Sequence, residues 1–327
     1  MRQMSTEPSP LLQQLERDIE GPHVVAIGGG HGLSNALRAA CAYAGRVDAV
    51  VSVTDDGGSS GRLVPHIDIP PPGDIRKCLL ALAPAESPWT ELFDYRFDES
   101  DVAGHSLGNL ILAALADIEG SFEDAIGIAE RVLRTAGSVI PACRDHLRLV
   151  AESDGQRLDG QVTIGTHRGR IDAVWVEPAS AAPTPRAVAV IESADQILLG
   201  PGSLITSTVA AMRVPGITEA INRSSARIVY IANLITQDGE TMEMDGIDHL
   251  DALLRLTGVR PPGAIVANEH EFKVPPPHRA IEFDSDLTAT YGADLVSADL
   301  VDTGSAWPSH DPVKLGLVLA SMTRPGG

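Results

Sequence analysis

The segment HVVAIGGGHGL, residues 23–33, decides the fold. His23–Ile27 is largely apolar and β-branched and predicts a buried strand, and the helix-compatible stretch Leu33–Ala44 follows the glycines. Ala49–Thr54 then predicts a second strand. Strand, glycine turn, helix and strand in this order form the βαβ signature of a parallel sheet.

The same alternation returns in the second half of the chain. Short strands are predicted at Ile197–Leu199, Arg227–Leu234 and Gly263–Ala267. Helical patterns are predicted at Ile75–Leu82, Asn109–Ala116, Phe122–Thr135, Thr206–Met212, Ile247–Leu256 and Pro312–Met322. We therefore expect an α/β, Rossmann-like three-layer fold with a mostly parallel sheet.

One stretch departs from this alternation. Residues 147–177 alternate polar and apolar side chains around turns such as Asp154-Gly155 and Asp159-Gly160, which predicts a small antiparallel insertion extending to about residue 185. The remainder predicts a single α/β domain over residues 22–325, preceded by a flexible leader, residues 1–21.

Composition restricts the classes of partner. The 327 residues include 25 Lys and Arg against 44 Asp and Glu, a net charge of −19, and 43% are hydrophobic. A chain this acidic is a poor ligand for nucleic acid or anionic membranes. Three cysteines do not predict a disulfide framework, and neither a secretory signal nor a membrane span is evident. We expect a cytoplasmic protein with no nucleic-acid partner and no membrane insertion.

The first glycine run has the pattern of an anion-binding turn. Gly28, Gly29, Gly30 and Gly32 let a ligand approach the backbone, and the following helix aims free N–H groups at it. The third glycine of a G-x-G-x-x-G dinucleotide motif would fall at Leu33, so that signal is weak. A tight turn without a ligand is the alternative.

The run TDDGGSSGR, residues 54–62, follows the second predicted strand, where open α/β sheets place ligands. Asp55 or Asp56 would meet ribose or sugar hydroxyls, and together the two carboxylates could bind Mg²⁺. The run also offers a phosphate nest and a phosphate-binding arginine. The residues concerned are Thr54, Gly58, Ser59, Ser60 and Arg62. An acidic surface turn is the alternative.

Residues 70–77 predict a rigid turn and then a helix with Asp74 as its N-cap. Arg76 and Lys77 would then lie in the first helical turn, where the helix dipole disfavours cations. This placement indicates an anion nearby, and solvated surface charges are the alternative.

The segment GHSLG, residues 104–108, matches the G-x-S-x-G nucleophile elbow. A buried strand must precede such an elbow, whereas Arg96–Asp101 is polar, so a serine hydrolase is disfavoured. We expect instead a loop that caps a helix and directs His105 and Asn109 at the ligand crevice, against the alternative of a structural histidine.

Two motifs of the second half extend the same rim. Gly200, Pro201, Gly202 and Ser203 follow one predicted strand, and Asn233 and Thr236 follow the next. The carboxyl ends of parallel strands share one edge of a sheet, so these residues should join the first two loops. His310-Asp311-Pro312 is predicted as a helix N-cap with proline in the first turn.

Taken together, these motifs resemble the gluconeogenesis-factor family (YvcK/CuvA-like), within the superfamily of 2-phospho-L-lactate transferase (CofD-like). The matching segments are GGGHGL at 28–33, DDGGSSGR at 55–62, PGDIR at 72–76, GHSLGN at 104–109, LGPGS at 199–203, Asn233-Leu234 and GET at 239–241. The first of these adds His31 to the predicted ligand-binding residues. The resemblance implies a bacterial, cytoplasmic protein that binds UDP-N-acetylglucosamine. It further implies a role in cell shape and cell-wall synthesis during growth on gluconeogenic carbon sources.

Several alternatives stay open within that resemblance. The family is not firmly enzymatic, so no cofactor is required, although its transferase relatives use Mg²⁺ to move a phospholactyl group from a nucleoside-diphosphate carrier. A transferase of that kind is the second hypothesis, with Asp55 and Asp56 as the candidate catalytic residues, and an NAD-binding protein is the third. A homo-oligomer and contacts with cell-wall or regulatory proteins are further expectations.

Overall fold

A computed structural model describes residues 21–63 and 69–323. The predicted leader therefore lies outside the described residues apart from Gly21, as does the end of the predicted domain beyond residue 323.

The centre of the molecule is a seven-stranded sheet in which every pairing is parallel. The described strands are β1 (His23–Gly28), β2 (Arg46–Val51), β3 (Ser138–Pro141), β4 (Arg148–Ser153), β5 (Gln156–Asp159), β6 (Ala173–Glu177), β7 (Gln196–Leu199), β8 (Arg227–Ile231), β9 (Ala264–Asn268) and β10 (Asp294–Ala298). The order β10-β9-β8-β7-β1-β2-β3 reverses direction between β1 and β7, which makes this pair the topological switch point.

Helices cover both faces of this sheet. They are α1 (Gly30–Ala40), α2 (Gly58–Leu63), α3 (Pro72–Leu82), α4 (Pro88–Asp94), α5 (Leu107–Glu119), α6 (Phe122–Leu133), α7 (Gln161–Thr166), α8 (Pro185–Glu192), α9 (Ala210–Met212), α10 (Ile217–Arg223), α11 (Gly246–Thr257), α12 (Ser285–Thr290) and α13 (Pro312–Ser321). One π-helical segment, Leu204–Val209, leads into α9.

Alternate residues of each strand enter two different hydrophobic cores. Val24 and Ala26 of β1 pack with α1, α3 and α13, whereas Val25 and Ile27 pack with α8, α9 and α10 on the opposite face. Strands buried on both faces are continuous apolar runs, as the sequence of β1 is. The predicted α/β fold with a mostly parallel sheet is confirmed.

The antiparallel insertion is also present. Strands β5, β4 and β6 form a separate three-stranded sheet in which β4 pairs antiparallel with both neighbours. Helix α7 lies between β5 and β6 in the chain and returns to the main sheet, as described below. The insertion therefore reaches the carboxyl edge of the parallel sheet.

Several element boundaries differ from the prediction. Helix α1 begins at Gly30 rather than Leu33, and β2 begins at Arg46 and ends at Val51, which leaves Thr54 in the following loop. The prediction that Asp74 is an N-cap is wrong, because Pro71 holds that position and Asp74 lies inside the first turn of α3. Pro72 starts the helix without cost since the first helical N–H has no intrahelical partner.

Eight of the described elements were not predicted: β3, β10, α2, α4, α7, α8, α10 and α12. Over residues 21–63 and 69–323, no helix combines the length and the apolar character needed to cross a membrane.

Candidate functional site

A cleft of about 1100 Å³ opens at the carboxyl edge of the parallel sheet, at the switch point between β1 and β7. Open α/β sheets bind ligands at this place because the loops leaving the two central strands run in opposite directions. Both glycine turns, after β1 and after β7, line the cleft. Their convergence meets the main geometric expectation of the sequence.

An acidic side chain packs closely against the glycine turn after β1. Gly29 is the N-cap of α1, and a Cβ built there would lie 2.5 Å from Oδ2 of Asp74. Only glycine lets the α3 carboxylate approach this close. Gly30, His31 and Gly32, at the start of α1, line the cleft.

The second turn is fixed to the first by backbone contact. A Cβ at Gly32 would lie 2.5 Å from the carbonyl oxygen of Pro201 and 2.7 Å from the nitrogen of Gly202. From the other side, the Asn233 amide accepts a hydrogen bond from the Gly202 N–H (3.0 Å) and donates one to its carbonyl (2.8 Å). Asn233 therefore positions the turn as well as lining the cleft.

A buried glutamate supports the segment that follows this turn. The Glu240 carboxylate accepts the backbone N–H of Ile205 (2.9 Å) and the hydroxyl of Thr206, at the start of the π-helical segment. Burial raises the pKa of Glu240. The Ile205 N–H is one of the backbone groups that a helix start would otherwise leave unpaired.

Two carboxylates, those of Asp55 and Asp74, lie near each other in the lining of the cleft. Asp55 accepts a hydrogen bond from the Gly57 N–H (3.1 Å), and Asp74 accepts one from the Lys77 ammonium (2.9 Å). Burial and then the charge of Asp74 raise the pKa of Asp55. Asp55 and Asp74 both line the cleft and form its close acidic pair, with Asp94 a third acid in the lining.

Asp56 has a different role. Its two carboxylate oxygens accept the backbone N–H groups of Gln161 (2.9 Å) and Val162 (3.0 Å), at the start of α7. Gln161 in turn lines the cleft and donates its side-chain amide to the Thr206 carbonyl (2.9 Å). Asp56 thus ties the antiparallel insertion to the site. Within the described residues, no group of three or more His, Cys, Asp or Glu side chains is arranged to hold a metal ion.

Cations stand on the same wall as the acids. Arg76 is 5% exposed and donates to the Asp94 carboxylate (2.7 Å) and the Phe93 carbonyl (3.2 Å), while its buried Nε has no partner among the described residues. Burial lowers the pKa of His31, and the charge of Lys77 adds to this. All of these side chains line the cleft, apart from Phe93.

Three predicted residues outside the cleft lining contact one another. Ser59 interacts with Nδ1 of His105 (3.1 Å) and accepts from the Asn109 amide (3.0 Å), and all three are buried. Burial lowers the pKa of His105. Ser106, the residue of the apparent elbow, is fully buried and caps α5 through the Asn109 N–H.

Arg62 also lies outside the cleft lining. Its guanidinium donates to the Ala103 carbonyl (2.9 Å) and packs on Gly104. Ser60 is turned inward, since its hydroxyl accepts the Gly73 N–H (3.1 Å).

Of the predicted site residues, those lining the cleft are Gly29, Gly30, His31, Gly32, Asp55, Asp74, Arg76, Pro201, Gly202, Ser203, Asn233 and Thr236. Those outside the lining are Gly28, Thr54, Asp56, Gly58, Ser59, Ser60, Arg62, His105, Asn109 and Gly200.

Sequence reasoning missed several cleft residues, among them Arg38, Gln161, His278 and Trp307. Arg38 was detectable, because it lies two helical turns from His31 on α1. The others come from loops and from the insertion, where spacing along the chain does not indicate proximity. Asp311 is the N-cap of α13, as predicted from His310-Asp311-Pro312.

A protein family and several proteins of known name match this chain over most of its length. The family described as "2-phospho-L-lactate transferase CofD" matches residues 24–301. The chain is 37% identical to the "Gluconeogenesis factor" of Bacillus subtilis, over 93% of this chain and 98% of that protein. It is 43% identical to the "Gluconeogenesis factor" of Halalkalibacterium halodurans, over 72% and 74%.

A solved structure from Bacillus halodurans superposes with a TM-score of 0.87 at 36% identity, covering 91% of this chain and 99% of that one. A second structure from that organism, described as a member of the UPF0052 family, has a TM-score of 0.86. Family match, identity and shared fold agree along almost the whole length. The chain belongs to the CofD family and, within it, to the gluconeogenesis factors.

Proposed function

We propose that this protein binds a nucleoside-diphosphate sugar, UDP-N-acetylglucosamine, in the switch-point cleft, and that binding serves a regulatory role. The observation that carries the proposal is the convergence of both glycine turns on one cleft. In this role the protein acts as a cytoplasmic factor for cell shape and cell-wall synthesis during growth on gluconeogenic carbon. The shared name of its relatives, gluconeogenesis factor, supports the link to gluconeogenic growth.

The diphosphate would lie against the start of α1. Helix N-termini bind anions because their first N–H groups lack intrahelical partners and the helix dipole is positive there. Arg76 and Lys77 on the same wall add two cations. These local charges would have to outweigh the net charge of −19, which repels an anionic ligand over longer distances.

The hydroxyl groups of the ligand would meet Asp55 and Asp74, since ionised carboxylates are strong acceptors for them. A Mg²⁺ ion bound with the diphosphate also fits Asp55 and Asp74 better than Asp55 and Asp56. Both oxygens of Asp56 accept backbone N–H groups and are turned to the insertion. The ion would supply charge to offset the phosphates.

Isothermal titration calorimetry with UDP-N-acetylglucosamine, GDP and NAD tests the proposal. We expect the sugar nucleotide to bind best, and binding of NAD alone would contradict the proposal. Arg76→Gln and Lys77→Gln should each weaken binding by about 1.5–3 kcal/mol, the range for a charged hydrogen bond.

Arg62→Gln is the matched control, since Arg62 has the same charge but lies outside the cleft lining. A loss of affinity in Arg62→Gln alone would shift the phosphate site to the 54–62 run. Circular dichroism of each variant excludes a loss of fold as the cause.

A transferase is the second candidate, favoured by the paired carboxylates Asp55 and Asp74 in a family described by its phospholactate transferase. It predicts Mg²⁺-dependent turnover of a nucleoside-diphosphate-linked donor. Asp55→Asn would then lower the rate more than the affinity, whereas a binding protein would lose affinity only.

A further inference from the structure

The cleft has one charged wall and one uncharged wall. Its Lys, Arg, Asp and Glu lining residues are Arg38, Asp55, Asp74, Arg76, Lys77 and Asp94. The second wall is built from residues 233–237, His278, Ser305 and residues 307–310, and it contributes no Lys, Arg, Asp or Glu side chain to the lining. The two ends of a bound ligand therefore meet different chemistry.

The uncharged wall carries an exposed aromatic ring. Trp307 is 54% exposed at the cleft, although burial of so large an apolar side chain is usually favourable. Its ring stands edge-to-face with that of His278, with centroids 5.3 Å apart and an interplanar angle of 87°. This is a preferred arrangement for two aromatic rings.

His278 is itself held by a hydrogen bond to the loop that follows β8. Its Nδ1 hydrogen-bonds with the Thr236 carbonyl (2.8 Å), and Thr236 is 1% exposed in the loop that follows β8. The Trp307 ring is thus oriented by a side chain anchored in the protein interior, which limits the entropy lost when a ligand stacks on it.

Neighbouring groups keep this wall neutral. His310 is 5% exposed and lines the cleft, and burial lowers its pKa to about 4, so its imidazole is uncharged at neutral pH. A neutral wall with an exposed aromatic face suits a planar, uncharged heterocycle. The carboxylates that suit sugar hydroxyls lie on the other wall.

We infer that Trp307, oriented by His278, is the stacking platform for the nucleobase of the bound nucleotide. This rests on the proposed function, because it assigns one part of the same ligand to one wall of the same cleft. Base stacking on an aromatic ring depends little on the identity of the base. Trp307 therefore contributes affinity for the nucleoside, while the hexose and the phosphates lie toward the charged wall.

Calorimetric titration of Trp307→Ala with UDP and with UDP-N-acetylglucosamine tests the inference. We expect both ligands to lose affinity by the same factor, roughly 10- to 100-fold. Trp307→Phe should keep most of the affinity because it keeps an aromatic face. Trp89→Ala is the matched control, since Trp89 is 50% exposed on α4 but lies outside the cleft lining.

The possible failures are distinguishable. If the unmodified protein binds neither ligand, the proposed function falls and this inference falls with it. If it binds both and Trp307→Ala binds them equally well, only the platform is refuted. If Trp307→Ala weakens binding of UDP-N-acetylglucosamine but leaves UDP unchanged, the ring stacks on the sugar and the assignment to the base is wrong.

Discussion

At the scale of single residues, the cleft and the segment that supports it contain carboxyl groups whose ionisation opposes stability. Asp55 is an acid that burial and Asp74 together make harder to ionise. Glu240 is buried without a cation in hydrogen-bond contact among its described partners, which are backbone and hydroxyl groups. Buried charges of this kind are tolerated where a site needs them, and they cost stability there.

We expect Asp55→Asn to unfold at a higher temperature than the unmodified protein at pH 7. The folded-state pKa of Asp55 is raised, so the ionised carboxylate costs stability above that pKa, and the cost disappears below the ordinary value of about 3.9. The amide can still accept the Gly57 N–H. Thermal unfolding at pH 7 and pH 3.5 measures the difference, which should shrink at the lower pH.

Asp98→Asn, at an exposed aspartate, is the control and should change the unfolding temperature little at either pH. A variant Asp55→Asn that is less stable at pH 7 would mean that the carboxylate makes a net stabilising contact.

At the scale of elements, the site depends on how helix starts are packed and capped. Helix α1 meets the turn after β7 at Gly32, and α7 is capped from a distance by Asp56. Both contacts join segments far apart in the chain. Substitutions at Gly32 and Asp56 test how much each contact stabilises the protein.

Gly32→Ala should destabilise the protein although alanine favours helices. Its Cβ would lie 2.5 Å from the Pro201 carbonyl oxygen, so the two turns must separate, at a cost of about 1–3 kcal/mol. Gly127→Ala in α6 is the control, because its Cβ would meet only Arg131 Nη1 at 3.8 Å. That change should stabilise by about 0.5–1 kcal/mol. Urea unfolding measures the free energy of unfolding of both variants. If the two substitutions changed it equally and in the same direction, the close contact at Gly32 would be contradicted.

Asp56→Ala should lower the free energy of unfolding by about 0.5–2 kcal/mol, the usual cost of losing a cap. The N–H groups of Gln161 and Val162 would lose their carboxylate partner. Hydrogen exchange at these two amides should accelerate most. Asp101→Ala, in an exposed turn, serves as the comparison. Equal exchange rates at the Gln161 and Val162 amides in both variants would argue against a cap.

At the scale of the whole molecule, 44 acidic residues against 25 basic ones set up self-repulsion in the compact state. The exposed ion pairs, such as Arg223 with Glu192, stabilise little because water and salt screen them. Repulsion is therefore the larger electrostatic term over the surface.

We expect the unfolding temperature to rise when NaCl increases from about 0.02 to about 0.3 M at pH 7.5, because the screening length then falls from above to below roughly 10 Å. Differential scanning calorimetry measures the shift. A fall in the unfolding temperature would show that attractive pairs outweigh the repulsion.

The sequence by itself determined the class of fold and the edge of the sheet at which the cleft lies. Local apolar runs and glycine turns are properties of neighbouring residues, so β1, β7 and the two turns after them were predictable, as was the antiparallel insertion. Helix starts were placed less well, since prolines and glycines such as Pro72 and Gly30 are read as turns although they also begin helices.

Only the tertiary structure decided which side chains share the cleft. Asp55 and Asp56 are neighbours in the chain, yet one lines the cleft while the other caps α7, 105 residues away. Trp307 and His278 meet through loops whose paths no periodicity encodes. The physical reason is that the spacing of apolar residues specifies a helix or strand and its buried face. The direction of a polar side chain depends instead on partners from distant parts of the chain, which only folding brings close.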